Sequence, residues 1–355
     1  MKFSLFYEMQ ISKPTRESEQ ALFRNCLEQG ELADKLGYHC LWNVEHHGLR
    51  EYAHSSAPET FLAFLAARTD TIRLGHGVTL TPRGFNHPIR VAERVALLDV
   101  LSNGRVNWGS GKSSSNVESR LFEIDTDTLD GLWREAIGMI PTMWRDGPFS
   151  WKSENYNIPD CSIVPKPVQA PHPPIFGPSA NPASLKAVGS LGIGALCFSH
   201  ANATDLRNKV QVYREAVAVA EPELYQKNDH FAVTANTIVL EDDDEACRYG
   251  MTGARYFRDA YAKYYNQPDA PDYNELGVCT DQIKGIELKL AKGMRRNPET
   301  ELWAIIGDPG LAREKVAIYR ECGVDELILI MQLGTVPHEI ICKSLKTFAE
   351  KVMHH

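Results

Sequence analysis

Short apolar runs alternate along this chain with longer segments whose apolar residues recur at helical spacing. MKFSLFY reads as a first strand, and residues 16–36 then place Leu22, Cys26, Ala33 and Leu36 on one helical face, with Gly37 as the stop. The unit repeats. Strand HCLWNV is followed by helix PETFLAFLAARTD, and strand TIRLGHGVTL by IRVAERVALLDVLSNGR, a helix closed by Asn103 and Gly104. VNWGSG is a fourth strand, separated by a long polar loop from a helix over 127–145. PPIFGPS, IGALCF and HFAVTANTIVL supply strands five to seven, with helices over 182–190 and 203–220 between them. The acids of DDDEACRYG suit a helix N-terminus. Residues 266–300, rich in Pro, Asp and Asn, read as an insertion. Helix DPGLAREKVAIYRECG, strand VDELILIM and a last helix over 337–353 complete the chain.

Eight nearly continuous apolar strands, each followed by a helix, predict an α/β fold: a closed (β/α)8 TIM barrel in one domain over 1–355. An open doubly wound sheet is the alternative. The insertion at 266–300, led into by Tyr256, Tyr261 and Tyr265, is expected to act as a lid. In a barrel the active site lies at the C-terminal ends of the strands, so LWNVEHHGLR, residues 41–50, leaves the second strand at the reactive face.

Composition narrows the function without naming it. Of 355 residues 43% are hydrophobic and 24% charged, enough to bury a sizeable core. The net charge of -8 and the lack of a Lys/Arg stripe argue against a nucleic-acid partner. No apolar run reaches the length of a membrane span or signal peptide, so a soluble, cytoplasmic protein with no membrane partner is expected. Eight cysteines without a C-x-x-C pair fit reduced thiols.

Three stretches carry candidate chemistry. WGSGKSSSN, residues 108–116, contains GKS, but Val106 stands where the nucleotide-hydrolase loop needs glycine. A strand opening into Gly, Ser and Lys still suits a phosphate monoester, or is a solvated turn. GPSANPASLKAVGS offers a second anion site at Ser179, Asn181 and Ser184, with Ala180 and Ala183 small enough for close approach; helix capping explains the same residues equally well. Gly189, Gly192 and Gly194 are in the wrong order for a dinucleotide fingerprint. In the third stretch, alternation along an extended strand sends His46 to one side and Glu45 and His47 to the other. Three such neighbours cannot share one metal, and the other histidines bring no matching carboxylates, so no metal is expected. One histidine facing the barrel mouth as acid, base or hydrogen-bond donor is the better reading.

The order and spacing of MKFSLFYEMQ, KLGYHCLWNVEHH, RLGHGVTLTP, HPIRVAERVALLDVLSNGRVNWGSG, PPIFGPSANPASLKAVGSLG and IIGDPGLAREKVAIYRECGVDELIL resemble the bacterial luciferase-like family of flavin-dependent monooxygenases. The resemblance covers most of the chain. It implies a barrel that binds FMN at its mouth, receives it reduced as FMNH2 from a separate NAD(P)H-dependent flavin reductase, and uses O2 to form a flavin hydroperoxide that oxygenates a small organic substrate. Carried over by position, His46 matches the histidine required for activity. Lys112 matches a basic phosphate ligand. Ala180, Asn181 and Ser184 match a phosphate-binding turn, and Gly77 and Val78 match the strand end against the isoalloxazine, where members often have a non-prolyl cis peptide. Glu45, His47 and Asn43 are expected to support His46. A homodimer formed through the early barrel helices is also implied.

Four departures accompany this resemblance. Gly111 stands in place of a reactive cysteine, Lys112 in place of arginine and Ala180 in place of an acid, and the loop TPRGFNHP is two residues longer. They argue against light emission and a long-chain aldehyde. Hydride transfer with a deazaflavin, and flavin binding without catalysis, stay open as alternatives at this point.

Overall fold

The computed structural model describes residues 1–198, 202–265, 278–295, 297 and 301–355. In chain order these form β1 (Lys2–Tyr7), α1 (Arg16–Lys35), β2 (Cys40–Asn43), α2 (Pro58–Ala66), β3 (Arg73–Leu80), α3 (Pro88–Leu101), β4 (Val106–Gly111), α4 (Asn116–Leu121) and α5 (Leu129–Met143). Next come β5 (Phe149–Lys152), β6 (Asn157–Cys161), β7 (Ile175–Ser179), α6 (Pro182–Ser190), β8 (Gly194–Cys197), α7 (Ala203–Ala218), β9 (Phe231–Val239) and α8 (Asp243–Tyr265). The chain ends with α9 (Gly285–Arg295), β10 (Ala304–Gly307), α10 (Pro309–Glu321), β11 (Glu326–Ile330) and α11 (His338–Phe348).

Eight parallel strands close a TIM barrel in the order β1-β2-β3-β4-β7-β8-β9-β11, with β11 returning to β1. The predicted strands are its eight staves. Two elements lie outside that prediction. The antiparallel hairpin β5–β6 is half-exposed and has no continuous apolar run to mark it. The four-residue β10 merges in sequence with the start of the helix that follows it. It pairs with the end of β9 on the edge opposite β11, because Asn236 is in register with both Ala304 and Ile330.

The interior is closed at the N-terminal end by large side chains. Trp42 lies flat against β3, where a side chain on Gly75 would come within 2.4 Å of the indole. The Trp42 Nε1 donates to the Glu326 Oε1 at 2.8 Å, the Glu326 Oε2 lies 2.9 Å from the His230 Nε2, and Phe176 packs edge-on against both Trp42 and His230. Both Trp42 and Glu326 are fully buried, so this polar knot is part of the core.

One helix follows an unexpected course. α8 leaves the top of β9 and crosses the rim of the barrel. Tyr256 Oη donates to the Ile11 and Glu51 carbonyls, and Lys263 pairs with Glu51, so the helix is tied to the loops after β1 and β2. Tyr256 is thus a buried anchor of α8 on these two loops. Residues 266–277, 296 and 298–300 of the expected lid lie outside the described residues. The remainder of that insertion includes α9, which packs on α8 through Ile283, Ala291 and Cys247. Among the described residues, no helix is long and apolar enough to cross a membrane.

Candidate active site

Strand β2 stops at Asn43, one residue short of the predicted end, so pleat alternation does not orient Glu45, His46 and His47. The loop does. Asn43 Nδ2 donates to the Tyr7 carbonyl at 3.1 Å, and Ser55 Oγ donates to both Asn43 Oδ1 and the Val44 carbonyl. The His46 amide then donates to the Ser55 carbonyl at 2.9 Å, folding the loop back on itself. Glu45 points the other way. Its Oε2 accepts the Leu80 amide at 2.8 Å and its Oε1 accepts Asn86 Nδ2 at 2.8 Å, with the His47 Nε2 at 3.3 Å. Glu45 and His47 thus share a side opposite to His46, with His47 stacked on Phe85 and edge-on to Phe122.

Around His46 the structure assembles groups that are distant in sequence. Its Nδ1 is 3.0 Å from the Glu118 Oε1 and 3.3 Å from the Tyr265 hydroxyl; its Nε2 is 3.5 Å from the Glu8 Oε2. Glu118 comes from α4, inside the segment predicted as a polar loop, and it also accepts the His47 amide at 2.9 Å and the Ser113 hydroxyl at 2.6 Å. Glu8 follows β1 and accepts the Tyr52 hydroxyl at 2.8 Å. Tyr52 and Tyr265 pack edge-on to the imidazole. Glu8, Glu118 and Tyr52 were not singled out from the sequence, and Tyr265 was named only as leading into the expected lid. Only Glu8, a carboxylate closing the apolar run FSLFY, carried a local signal.

Burial disfavours charge on every member of this cluster, and partners decide the outcome. For His46 burial works against protonation, but Glu118 and Glu8 outweigh it and raise the imidazole to about 9. Burial lifts Glu8 to about 7 against the pull of His46 and Tyr52. Burial also opposes charge on Glu118, yet His46, Ser113 and the His47 amide hold it below the usual carboxylate range. The two carboxylates face opposite ring nitrogens, so the three groups have no common point at which an ion could sit. Among the described residues no set of three His, Cys, Asp or Glu side chains is placed to hold a metal.

On the neighbouring strands, the Gly77–Val78 peptide is cis. Gly111, across β4, leaves room that Val78 uses, since a side chain there would meet the Val78 Cγ2 at 2.4 Å. Beyond it Lys112 forms a 2.5 Å salt bridge with Asp130, which also pairs with Arg134. β4 pairs with β7, and a side chain on Gly111 would lie 3.5 Å from Pro178, just ahead of the turn into α6. There Asn181 Oδ1 accepts the Ser184 amide and Ser184 Oγ accepts the Ala180 and Asn181 amides. Helix capping therefore accounts for Asn181 and Ser184 in this structure. Lys112 and Arg134 are engaged by Asp130, and the Ala180 and Asn181 amides by Ser184; cations and helix N-terminal amides of this kind fit a phosphate monoester that would take them from these partners.

A family model described as luciferase-like monooxygenase matches residues 1–326. This chain belongs to the luciferase-like monooxygenase family. The oxygenase component of the flavin-dependent trigonelline monooxygenase of Acinetobacter baylyi is 33% identical over 188 residues, 52% of this chain and 50% of that protein. The chain spans about half the length of that enzyme and of several other curated relatives. The crystal structure of monooxygenase RslO1 from Streptomyces bottropensis has a TM-score of 0.83 and 26% identity, covering 100% of this chain and 99% of that one. The FMN complex of the oxygenating constituent of 3,6-diketocamphane monooxygenase from Pseudomonas putida has a TM-score of 0.74 with 99% and 98% covered; at 20% identity it supports the fold. In this luciferase-like protein His46 stands on the loop after β2, held by Glu118.

Proposed function

We propose that this protein is the oxygenase component of a two-component monooxygenase: it takes reduced FMN from a separate NAD(P)H-dependent flavin reductase and places one oxygen atom of O2 on a small organic substrate. The observation that carries this reading is the partly buried His46 at the mouth of a luciferase-like barrel, held between Glu118 and Glu8 on the loop after β2, the strand that pairs with the one carrying the cis Gly77–Val78 peptide. Lys112, Ala180, Asn181 and Ser184 would hold the phosphate of FMN, and Gly77, Val78 and Gly111 would border its ring system. When bound, reduced FMN supplies the electrons that activate dioxygen. The chain's own part is to exclude water and hold a proton: Tyr52 and Tyr265 cover His46, Glu45 and Asn43 fix the loop that presents it, and His46 supplies a charged N–H.

Aromatic side chains around that loop, Tyr52, Tyr261, Tyr265, Phe85 and Phe122, favour a flat aromatic substrate. Trigonelline, the compound named for the Acinetobacter relative, is the first to try. Oxygen uptake with chemically reduced FMN, with and without substrate, tests the reading. Incorporation of one atom from labelled dioxygen, matched to the flavin oxidised, is expected. Substrate reduced without oxygen by a reduced deazaflavin would overturn it, because related barrels also serve F420-dependent enzymes; so would FMN binding with no effect on oxygen consumption.

The exposed apolar residues Phe64 on α2 and Leu97, Val100 and Leu101 on the adjoining α3 support a homodimer through these helices. Sedimentation should return twice the chain mass, and Leu101→Glu should return the single-chain mass. A monomeric wild type would sink this part.

A further inference from the structure

We propose that Glu8 is a positioning residue that, together with Glu118, holds His46 as an imidazolium, so that this side chain serves the reaction as a cation and proton donor and not as a general base. The inference rests on the reading of His46 as the imidazole of the reacting site. A neutral imidazole carries one N–H and one bare nitrogen, and both ring nitrogens here face a carboxylate oxygen, at 3.0 Å from Glu118 and 3.5 Å from Glu8. Whichever nitrogen were bare would set its lone pair against a carboxylate. Glu118 is held in its ionised form by the donors on its two oxygens, the His47 amide on Oε1 and the Ser113 hydroxyl on Oε2, which a proton on that carboxyl would weaken. Glu8 is 2% exposed, and its Oε2 has no hydrogen-bond donor nearer than the imidazole, while Tyr52 holds its Oε1. That orphaned oxygen is the observation that the established parts of the site leave unexplained.

The other groups facing the ring agree with this assignment. Glu45 adds a third carboxylate at longer range, and the Tyr52 and Tyr265 hydroxyls stay protonated because burial pushes both well up. Lys263, on the same stretch of α8, is engaged by Glu51. With Glu8 raised by burial to about 7 and His46 raised by its carboxylates to about 9, both charges of the Glu8–His46 pair are present between those limits. Below about 7 Glu8 takes up a proton and Glu118 alone retains the imidazolium.

Histidine ¹⁵N NMR of the flavin-free protein tests this directly. In the wild type both His46 nitrogens should carry protons through pH 8. Glu8→Gln should lower the midpoint by at least one pH unit, and Glu8→Asp should recover most of that shift. The alkaline limb of coupled oxygenation should move down with it in Glu8→Gln, which a purely structural role for Glu8 does not predict. A bare His46 nitrogen in the wild type at pH 7.5, with its proton on Glu8, overturns the proposal, as does an unchanged midpoint in Glu8→Gln. Should Glu8→Gln fail to fold, the wild-type spectrum decides. Because the NMR readout needs no cofactor, failure of this assignment and failure of the FMN reading are distinguishable.

Discussion

Replacing His46 with alanine is expected to lower coupled oxygenation by roughly 10²–10⁴-fold, the range associated with a positioned acid–base group. Reduced FMN should still bind, because His46 is on the loop after β2 whereas the phosphate candidates sit at the ends of β4 and β7. The measurement is product formed per flavin oxidised, set against FMN affinity by fluorescence quenching. Flavin oxidation is expected to continue with hydrogen peroxide as the product, since electrons then reach oxygen without reaching the substrate. The substitution also leaves Glu8 and Glu118 buried without their cation, so the variant should lose some stability. His46→Gln keeps one hydrogen-bond donor without a charge. It should stay near the alanine variant in coupling, and full recovery of activity would show that the charge is unnecessary.

Replacing Glu326 with alanine should destabilise the barrel by several kcal/mol, about 1–3 kcal/mol for each buried donor left without its acceptor. Glu326 is fully buried, and its loss strands the Trp42 N–H in the core and His230 beside it. Burial by itself would raise this carboxyl, but His230 and Trp42 hold it down at about 2. A folded value below the ordinary 4.5 means that Glu326 contributes stability above that pH and loses it as the pH falls through about 2. The shift corresponds to about 3 kcal/mol at 1.36 kcal/mol per pH unit, in line with the mutational figure. Urea unfolding midpoints measured at pH 7 and again near pH 3 check it: the gap between wild type and Glu326→Ala should be wide at pH 7 and narrower in acid. Equal midpoints at pH 7 would show that the knot contributes nothing net.

The alternation of apolar runs with helical periods specified the eight staves, while their closure was the favoured reading over an open doubly wound sheet and the strand pairing decided it. Strand and helix periods are local properties, and a fully buried parallel strand has to be apolar on both faces. The short β10 and the hairpin β5–β6 escaped because neither is long or apolar enough to stand out from its surroundings. The sequence also placed EHH at the mouth, since strand order in a barrel assigns each strand end to a face, and the family resemblance singled out His46. It did not determine how His46 is held. Glu8, Glu118 and Tyr265 lie 38, 72 and 219 residues away from it in the chain, and only barrel closure and the passage of α8 across the rim bring them to one imidazole. The charge of a buried ionisable group depends on which partners surround it after water is gone. The identity of His46 was therefore a property of the sequence, and its protonation state a property of the tertiary structure.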